Sequence, residues 1–337
     1  MFYQCPKCHK RWQYNIAKCP YCFELLERMH SQKAEVIGCS YSTIPTILHP
    51  DVPYYVLALR DEHGNIWPQK SQKEYRVGEE FVLGSSKESD AVAVWKNKYD
   101  YLEQIEKLTE LLGGFPLASE MKIAIIPTLS QPSHAYYRDN TSPEFLDALL
   151  EFLLIKGTKA ENIKVLGQSF DSIPVEGKAQ KSGLVAVCMK YKVAPIDVAK
   201  GQFVQSRGYS LSKEALDADL VIAVPIAKAG KISASESLLQ VLEKGESLHF
   251  KMERDAITDL ASAFPNLIIL MDGVHIQNRQ EVVEFLGVGL AGRNPLLIDK
   301  VFAEIIKDEN QHPAIKNINT EMIKILGNQI KDASFKI

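Results

Sequence analysis

From Met121 onward the apolar residues of the chain fall into two rhythms. Lys122-Ile123-Ala124-Ile125-Ile126-Pro127, Asn162-Ile163-Lys164-Val165-Leu166-Gly167, Asp219-Leu220-Val221-Ile222-Ala223-Val224-Pro225 and Leu267-Ile268-Ile269-Leu270-Met271-Asp272-Gly273 are short, nearly unbroken apolar runs. Such runs suit strands covered on both faces. Between them, Pro143 to Lys156 (PEFLDALLEFLLIK) spaces its apolar residues three and four apart, as an amphipathic helix does. Val185 to Lys190 reads as either helix or strand. Strands alternating with helices predict an α/β domain over residues 121–337, built on a mostly parallel sheet.

The first part of the chain has a different texture. Val36 to Thr43, Pro53 to Leu59, Ile66-Trp67 and Tyr75 to Leu83 are β-rich, and Asp61-Glu62-His63-Gly64-Asn65 is a hairpin signal. Several short strands at this spacing predict a small OB-like β-barrel over residues 34–85. Residues 86–120 carry few strand signals, but Tyr101 to Leu112 places Leu and Ile at helical spacing and Gly113-Gly114 stops it. A helical linker is expected there.

Residues 1–33 hold four of the six cysteines, as Cys5-x2-Cys8 and Cys19-x2-Cys22. A CxxC turn points two sulfurs at one spot, and two such turns facing each other supply a tetrahedral four-sulfur set. A segment this short builds no core of its own, so bound metal must supply folding free energy. A structural zinc ion is expected at Cys5, Cys8, Cys19 and Cys22, with a rubredoxin-like iron site and a redox dithiol as the rivals. Trp12, Tyr14 and Tyr21 can pack around it. Cys39 and Cys188 sit in apolar stretches and are expected as buried free thiols.

Composition narrows the partners. A chain of 337 residues exceeds what one core holds, ~250–300 residues, so several domains are expected. The net charge is -3, and residues 1–100 balance 13 Lys+Arg against 12 Asp+Glu, so no basic excess favours nucleic acid, which stands as the lesser alternative partner. No apolar run approaches the ~20 residues that span a bilayer, and residues 1–5 have neither the basic flank nor the apolar core of a secretion signal. We expect a cytoplasmic protein, with its cysteines reduced.

Candidate chemistry lies just past the carboxyl ends of the apolar strands, where α/β sheets bind ligands. Lys228, Asp272 and His275 are the candidate catalytic residues, and Lys231, His249, Arg293, Asn294 and His134 the candidate ligand-binding ones. A lysine there can hold a phosphate or carboxylate, Asp272 can act as acid or base, and Arg293 can clamp an anion. The plain alternatives are solvated loop lysines, a turn-capping carboxylate and ordinary surface or core histidines. Asp299 is expected to cap or pair within its own helix. GxxxxGKS/T does not occur, so the P-loop fingerprint of nucleotide binding is not available. Lys228, Asp272 and Arg293 are expected to meet across one net-positive crevice.

Two resemblances add to this. The CxxC pairs, "PYYVLAL" and "VGEEFVL" resemble the DUF35 module of rubredoxin-like ribbon and OB fold over residues 1–85. That resemblance implies a partner among thiolase-like acyl-CoA enzymes. "DADLVIAVPIAKAGK", "SLHF", "DLASAFPNLIILMDGVH" and "GLAGRNPLLIDKVFAEII" resemble, in order and spacing, the DUF362 family over residues 121–306. More distantly they resemble lactate-racemase-like proteins that hold a nickel-pincer nucleotide, which is a hint about fold. The departures are local: the family's Lys-Thr-His turn is Lys228-Ala229-Gly230 here, its later Asp is Asn294, and the iron–sulfur cysteines of some members are absent. The function implied is binding of a small anionic metabolite or nucleotide-like cofactor, with or without catalysis. The alternative is a non-catalytic adaptor whose ribbon and barrel dock a partner enzyme.

Overall fold

The computed structural model describes residues 2–13, 18–29, 33–44, 52–71, 74–82, 91–97, 100–115, 117–169, 173–193 and 195–333. It forms two compact units, Met1–Ser86 and Lys87–Ile337. No helix among the described residues is long and apolar enough to cross a membrane.

The smaller unit consists of two antiparallel sheets. The first has the order β2-β1-β3, from strands β1 (Phe2–Gln4), β2 (Arg11–Trp12) and β3 (Glu27–Met29). The second pairs β4 (Lys33–Ser42), β5 (Tyr54–Asp61), β6 (Ile66–Ser71) and β7 (Glu80–Val82) in the order β6-β5-β4-β7. The β5–β6 turn is held by Asp61, whose Oδ1 accepts from the backbone N–H of His63 at 3.0 Å and of Asn65 at 2.7 Å. Its apolar core comprises Ala34, Val36, Leu57 and Leu59, with Tyr55, Trp67, Tyr75 and Phe81 against them. At about 1.5–3 kcal/mol per buried aliphatic side chain, so small a cluster sets little against the entropy of ordering the chain. Cys39 is exposed, contrary to expectation, although its register partner on β5 is the buried Leu57.

The larger unit is a mixed, mostly parallel sheet. Its elements in chain order are β8 (Ala91–Lys96), α1 (Tyr101–Leu111), β9 (Ile123–Pro127), α2 (Pro143–Ile155), β10 (Ile163–Gly167), α3 (Val175–Lys181), α4 (Leu184–Lys190) and β11 (Pro195–Asp197). A hairpin of β12 (Phe203–Ser206) and β13 (Tyr209–Ser212) follows, then α5 (Lys213–Leu216), β14 (Leu220–Val224), β15 (Ile226–Lys228), α6 (Ser233–Ser237), α7 (Lys244–His249) and α8 (Arg254–Ser262). The chain continues through β16 (Leu267–Gln277), β17 (Val283–Gly292), α9 (Pro295–Ile305) and β18 (Lys324–Gly327). The strand order is β11-β10-β9-β14-β16-β17-β8-β18, with β15 also beside β16.

Side-chain alternation along these strands feeds two cores. Ala124, Ile126, Val221, Ala223, Ile269 and Met271 pack with α6, α8 and α9 on one face. Ile123, Ile125, Leu220, Ile222, Ile268 and Leu270 pack with α1 to α4 on the other. Cys188 is buried in the second core, where burial pushes its thiol up to about 11.

Two expectations are corrected and one open choice is decided. The stretch expected as a linker contributes β8, whose Ala91 to Val94 are buried between β17 and β18, and α1, which packs on the second core. A four-residue apolar run is too short to announce itself as a strand, yet it closes the sheet. Residues 185–190 are helical, in α4. Leu270 does not end its strand: β16 runs on to Gln277, paired antiparallel with β17 and shifted in register between Gly273 and His275.

Gly289 shows how closely α1 lies on the sheet. A Cβ there would come within 2.2 Å of Gln104 Nε2 and 2.8 Å of its Cγ. We expect Gly289→Ala to cost about 1–3 kcal/mol by overpacking. Adding Gln104→Ala should recover most of that loss, a non-additivity that urea unfolding of both single variants and the double variant measures.

Candidate functional site

The four cysteines of the ribbon face one point. Their sulfurs all lie within 4.8 Å of one another, with Cys5 to Cys22 at 3.2 Å and Cys8 to Cys19 at 3.5 Å. Four metal–sulfur bonds of ~2.3 Å around a tetrahedral ion set edges of ~3.8 Å, so the cluster could hold a metal ion. The two turns have the same backbone. Cys5 N donates to Lys10 O and His9 N to Cys5 O, just as Cys19 N donates to Glu24 O and Phe23 N to Cys19 O. His9 and Phe23, each just after the second cysteine of its turn, take left-handed φ of 57° and 59°. Burial would raise the Cys19 thiol, but the backbone N–H groups of Tyr21 and Cys22 draw it down to about 7. Trp12 and Tyr21 stand 6.5 Å apart, ring to ring, while Tyr14 lies outside the described residues.

In the larger unit the sheet has one switch point. From β9 the chain goes out to β10 and β11 on one side, then returns to β14 on the other. The segments after β9 and β14 therefore part, leaving a crevice at their carboxyl ends. A cavity of about 210 Å³ lies there, lined by Thr128, Ser130, Lys228, Ser233, Glu236 and Ser237 among others. The Lys228 side chain is 18% exposed, and its Nζ donates to Asp139 O at 3.1 Å, with Asp139 Oδ1 at 3.8 Å. Burial holds its ammonium below the usual lysine range, partly offset by the Asp139 carboxylate. Ser130 Oγ donates to the same Asp139 carbonyl at 2.6 Å, and the buried Lys178 donates to Ser130 O at 3.0 Å.

The opposite wall is α6, and Asp299 positions it. That carboxylate is in α9, yet its Oδ1 accepts from Ala234 N at 2.8 Å and its Oδ2 from Ser235 N at 2.9 Å and Ser235 Oγ at 2.7 Å. It thus caps a different helix, not its own as expected. Complete burial pushes Asp299 up to about 7.

A second polar cluster lies on the other face of the sheet. Asp272 shares the face of Ile268 and Leu270 and is fully buried. Burial pushes its carboxyl up to about 6, against Arg138, the Val274 N–H and the Ser142 hydroxyl. Arg138 Nη1 is 3.7 Å from Asp272 Oδ2, and its Nη2 is 3.3 Å from His275 Nδ1. Burial, then Arg138, holds the His275 imidazole below its ordinary value, so it is neutral at neutral pH. Asp272 Oδ2, Arg138 Nη1 and both polar atoms of Gln104 have no hydrogen-bond partner among the described residues. Gln104 covers Gly289, the register partner of Asp272, so these orphaned groups gather in one place. A carboxyl that changes charge near neutrality, beside a guanidinium and a neutral imidazole, can exchange protons as acid or base.

The expected meeting of Lys228, Asp272 and Arg293 does not occur. Lys228 lines the crevice on the α6 face and Asp272 faces α1 and α2. Arg293 is at the opposite edge, because β17 is antiparallel and Gly292 pairs with Ile269 near the start of β16. Asn294 caps α9, its Oδ1 accepting from Leu296 N at 3.1 Å. Lys231 is exposed beside the crevice and does not line it. His134 is exposed, its Nδ1 accepting from Tyr136 N at 3.2 Å in a 3-10 turn, and His249 is exposed at the end of α7. With Arg293 and Lys231 absent from the lining and Asp139 and Glu236 beside Lys228, the crevice is not net positive. Asp139, Ser233 and Glu236 were missed in the sequence; the one signal for Asp139 is its place beside Arg138 in a long polar loop. A larger groove of about 510 Å³ between α1 and α2 lies away from the strand ends, and its Lys107 is paired with Glu110.

These features define an α/β protein with a polar switch-point crevice, joined to a ribbon with a four-thiol site. The chain belongs to the family described as "Domain of unknown function (DUF362)", which matches residues 123–304. Among solved structures it is similar to the lactate racemase apoprotein from Thermoanaerobacterium thermosaccharolyticum, at 16% identity and a TM-score of 0.36. That match covers 64% of this chain and spans 57% of the other. It is also similar to a structure titled "Ltp2-ChsH2(DUF35) aldolase", at 15% identity and a TM-score of 0.20, over 24% of this chain and 68% of that one. No curated protein matches. Beside Lys228, Gly230 has φ +78° and lies under Arg279, whose Cζ would be 2.9 Å from a Cβ there.

The two raised carboxyls set a pH dependence. Unfolded, each titrates near 3.8, and folded near 6 for Asp272 and 7 for Asp299, so the folded state binds protons more tightly. Their contribution to stability is complete below about pH 4 and is lost as pH rises through 6 to 7. Unfolding free energy should fall over that window in the wild type. It should fall less steeply in Asp272→Asn and in Asp299→Asn, as chemical denaturation at stepped pH measures.

Proposed function

We propose that the larger unit binds a small anionic metabolite in the switch-point crevice, and that the four cysteines hold a structural zinc ion in a cytoplasmic protein. The observation that carries the first part is Lys228, a lysine 18% exposed at the carboxyl edge of the sheet among hydroxyl groups. Its ammonium now rests on a loop carbonyl and a carboxylate, groups that a bound anion can replace. The volume favours a metabolite over a nucleotide-like cofactor: about 210 Å³ is the room of roughly seven waters and lies below the ~300–1,000 Å³ of larger ligand sites.

Zinc is favoured because four thiolates with no open position make a closed structural set, and zinc imposes no geometry of its own. An adaptor reading rests on a separate observation. Tyr21, Phe23 and Leu25, on and after the second cysteine turn, are 66%, 76% and 67% exposed. Such a run suits docking of a protein partner by the ribbon and an OB-like second sheet.

Elemental analysis should find one zinc per chain, and Cys19→Ser should unfold the first ~25 residues while leaving the larger unit intact. Stoichiometric iron, or no metal, would rule zinc out. Phosphate at a hundredfold excess over its Kd should stabilise the protein by about 2.7 kcal/mol, read as a rise in Tm. Lys228→Ala should lose that rise; an identical response in the variant would leave the adaptor reading in its place.

A further inference from the structure

The crevice contains more than a cation. Ser233, 6% exposed, lines it, and its Oγ is buried without a hydrogen-bond partner among the described residues. Glu236, nearly one turn further along α6, lines the same wall and is half-buried. Among the described residues its carboxylate makes no hydrogen bond and no ion pair, although its charge is close enough to act on the Lys228 ammonium. Thr128 lines the same cavity. A buried hydroxyl with no partner is costly unless a ligand completes it, and the half-buried carboxylate beside it is an acceptor free to take a donor.

Their combined chemistry is selective. A simple anion would satisfy Lys228 and accept from Ser233, but it would also approach the negative charge of Glu236 with nothing to offer it. A ligand whose acidic group is a few bonds from a hydrogen-bond donor would satisfy all three. The cavity of about 210 Å³ sets the scale, since roughly seven waters occupy the volume of a molecule with only a few carbons.

We infer that the crevice selects a small bifunctional organic anion, with its acidic group at Lys228 and a hydroxyl or ammonium donor at Glu236. This rests on the anion-binding reading above and adds the donor group to it. Asp299 matters here as a positioning residue, because it orients the turn of α6 that carries Ser233 and Glu236.

The test uses the full chain and three probes of one size at equal ionic strength: propionate, 3-hydroxypropionate and β-alanine. Affinity is read from thermal shift against concentration. The hydroxyl- and ammonium-bearing probes should bind about tenfold more tightly than propionate, the effect of one added charge-assisted hydrogen bond. Glu236→Gln should reduce that preference, most for β-alanine, with propionate binding unweakened. Lys228→Ala should weaken all three. Glu236 has no side-chain partner to lose, so its variant should melt like wild type without ligand, and Ser233→Ala provides a second variant that should weaken all three probes. Equal affinity for the three probes would overturn this inference and leave the anion reading standing. No binding of any of them would overturn both.

Discussion

The central strands of the larger unit are buried on both faces, and that constraint governs where everything else can go. β9, β14 and most of β16 have helices above and below, so an ionisable side chain within them must give up water on every side. Polar chemistry is therefore displaced to the strand ends, and the switch point between β9 and β14 is where those ends part. The crevice follows from the same burial that stabilises the sheet.

Asp272 is the exception. It occupies an interior position of β16, and the loss of water there is large enough to overcome a guanidinium 3.7 Å away and hold the carboxyl near neutrality. The groups around it are incompletely paired, which is uncommon for buried polar atoms in a folded protein. The loop after β9 connects this cluster with the crevice. Arg138 turns toward Asp272 and His275, while its neighbour Asp139 turns toward Lys228. Two consecutive residues thus engage opposite faces of the sheet.

The smaller unit reaches order by another route. Its buried aliphatic cluster is small, and its two cysteine turns repeat one backbone pattern, down to the left-handed residue after each pair. That repetition places four sulfurs around one centre. A metal bound there would close a loop of chain that apolar burial alone would not hold.

Reading the sequence was most informative where the signal is local. An unbroken apolar run states that a segment is covered on both faces, and a CxxC turn states that two sulfurs share a direction; each needs only a few neighbours. The strand cores, the amphipathic α2, the four-cysteine set and the order of the family's motifs were legible for that reason. What the sequence does not encode locally is which strand lies beside which, and in which direction. β17 returns antiparallel beside β16, and this alone sends Arg293 to the far edge and keeps it from Lys228. β8 is a strand only because β17 and β18 pair with it from nearly 200 residues or more away in the chain. Asp299 caps a helix that precedes it by some 65 residues, and Glu236 lines a crevice only because that cap orients α6. Burial of a segment is written in its own residues; the identity of its neighbours is decided by long-range pairing, and so the site was settled by the tertiary structure.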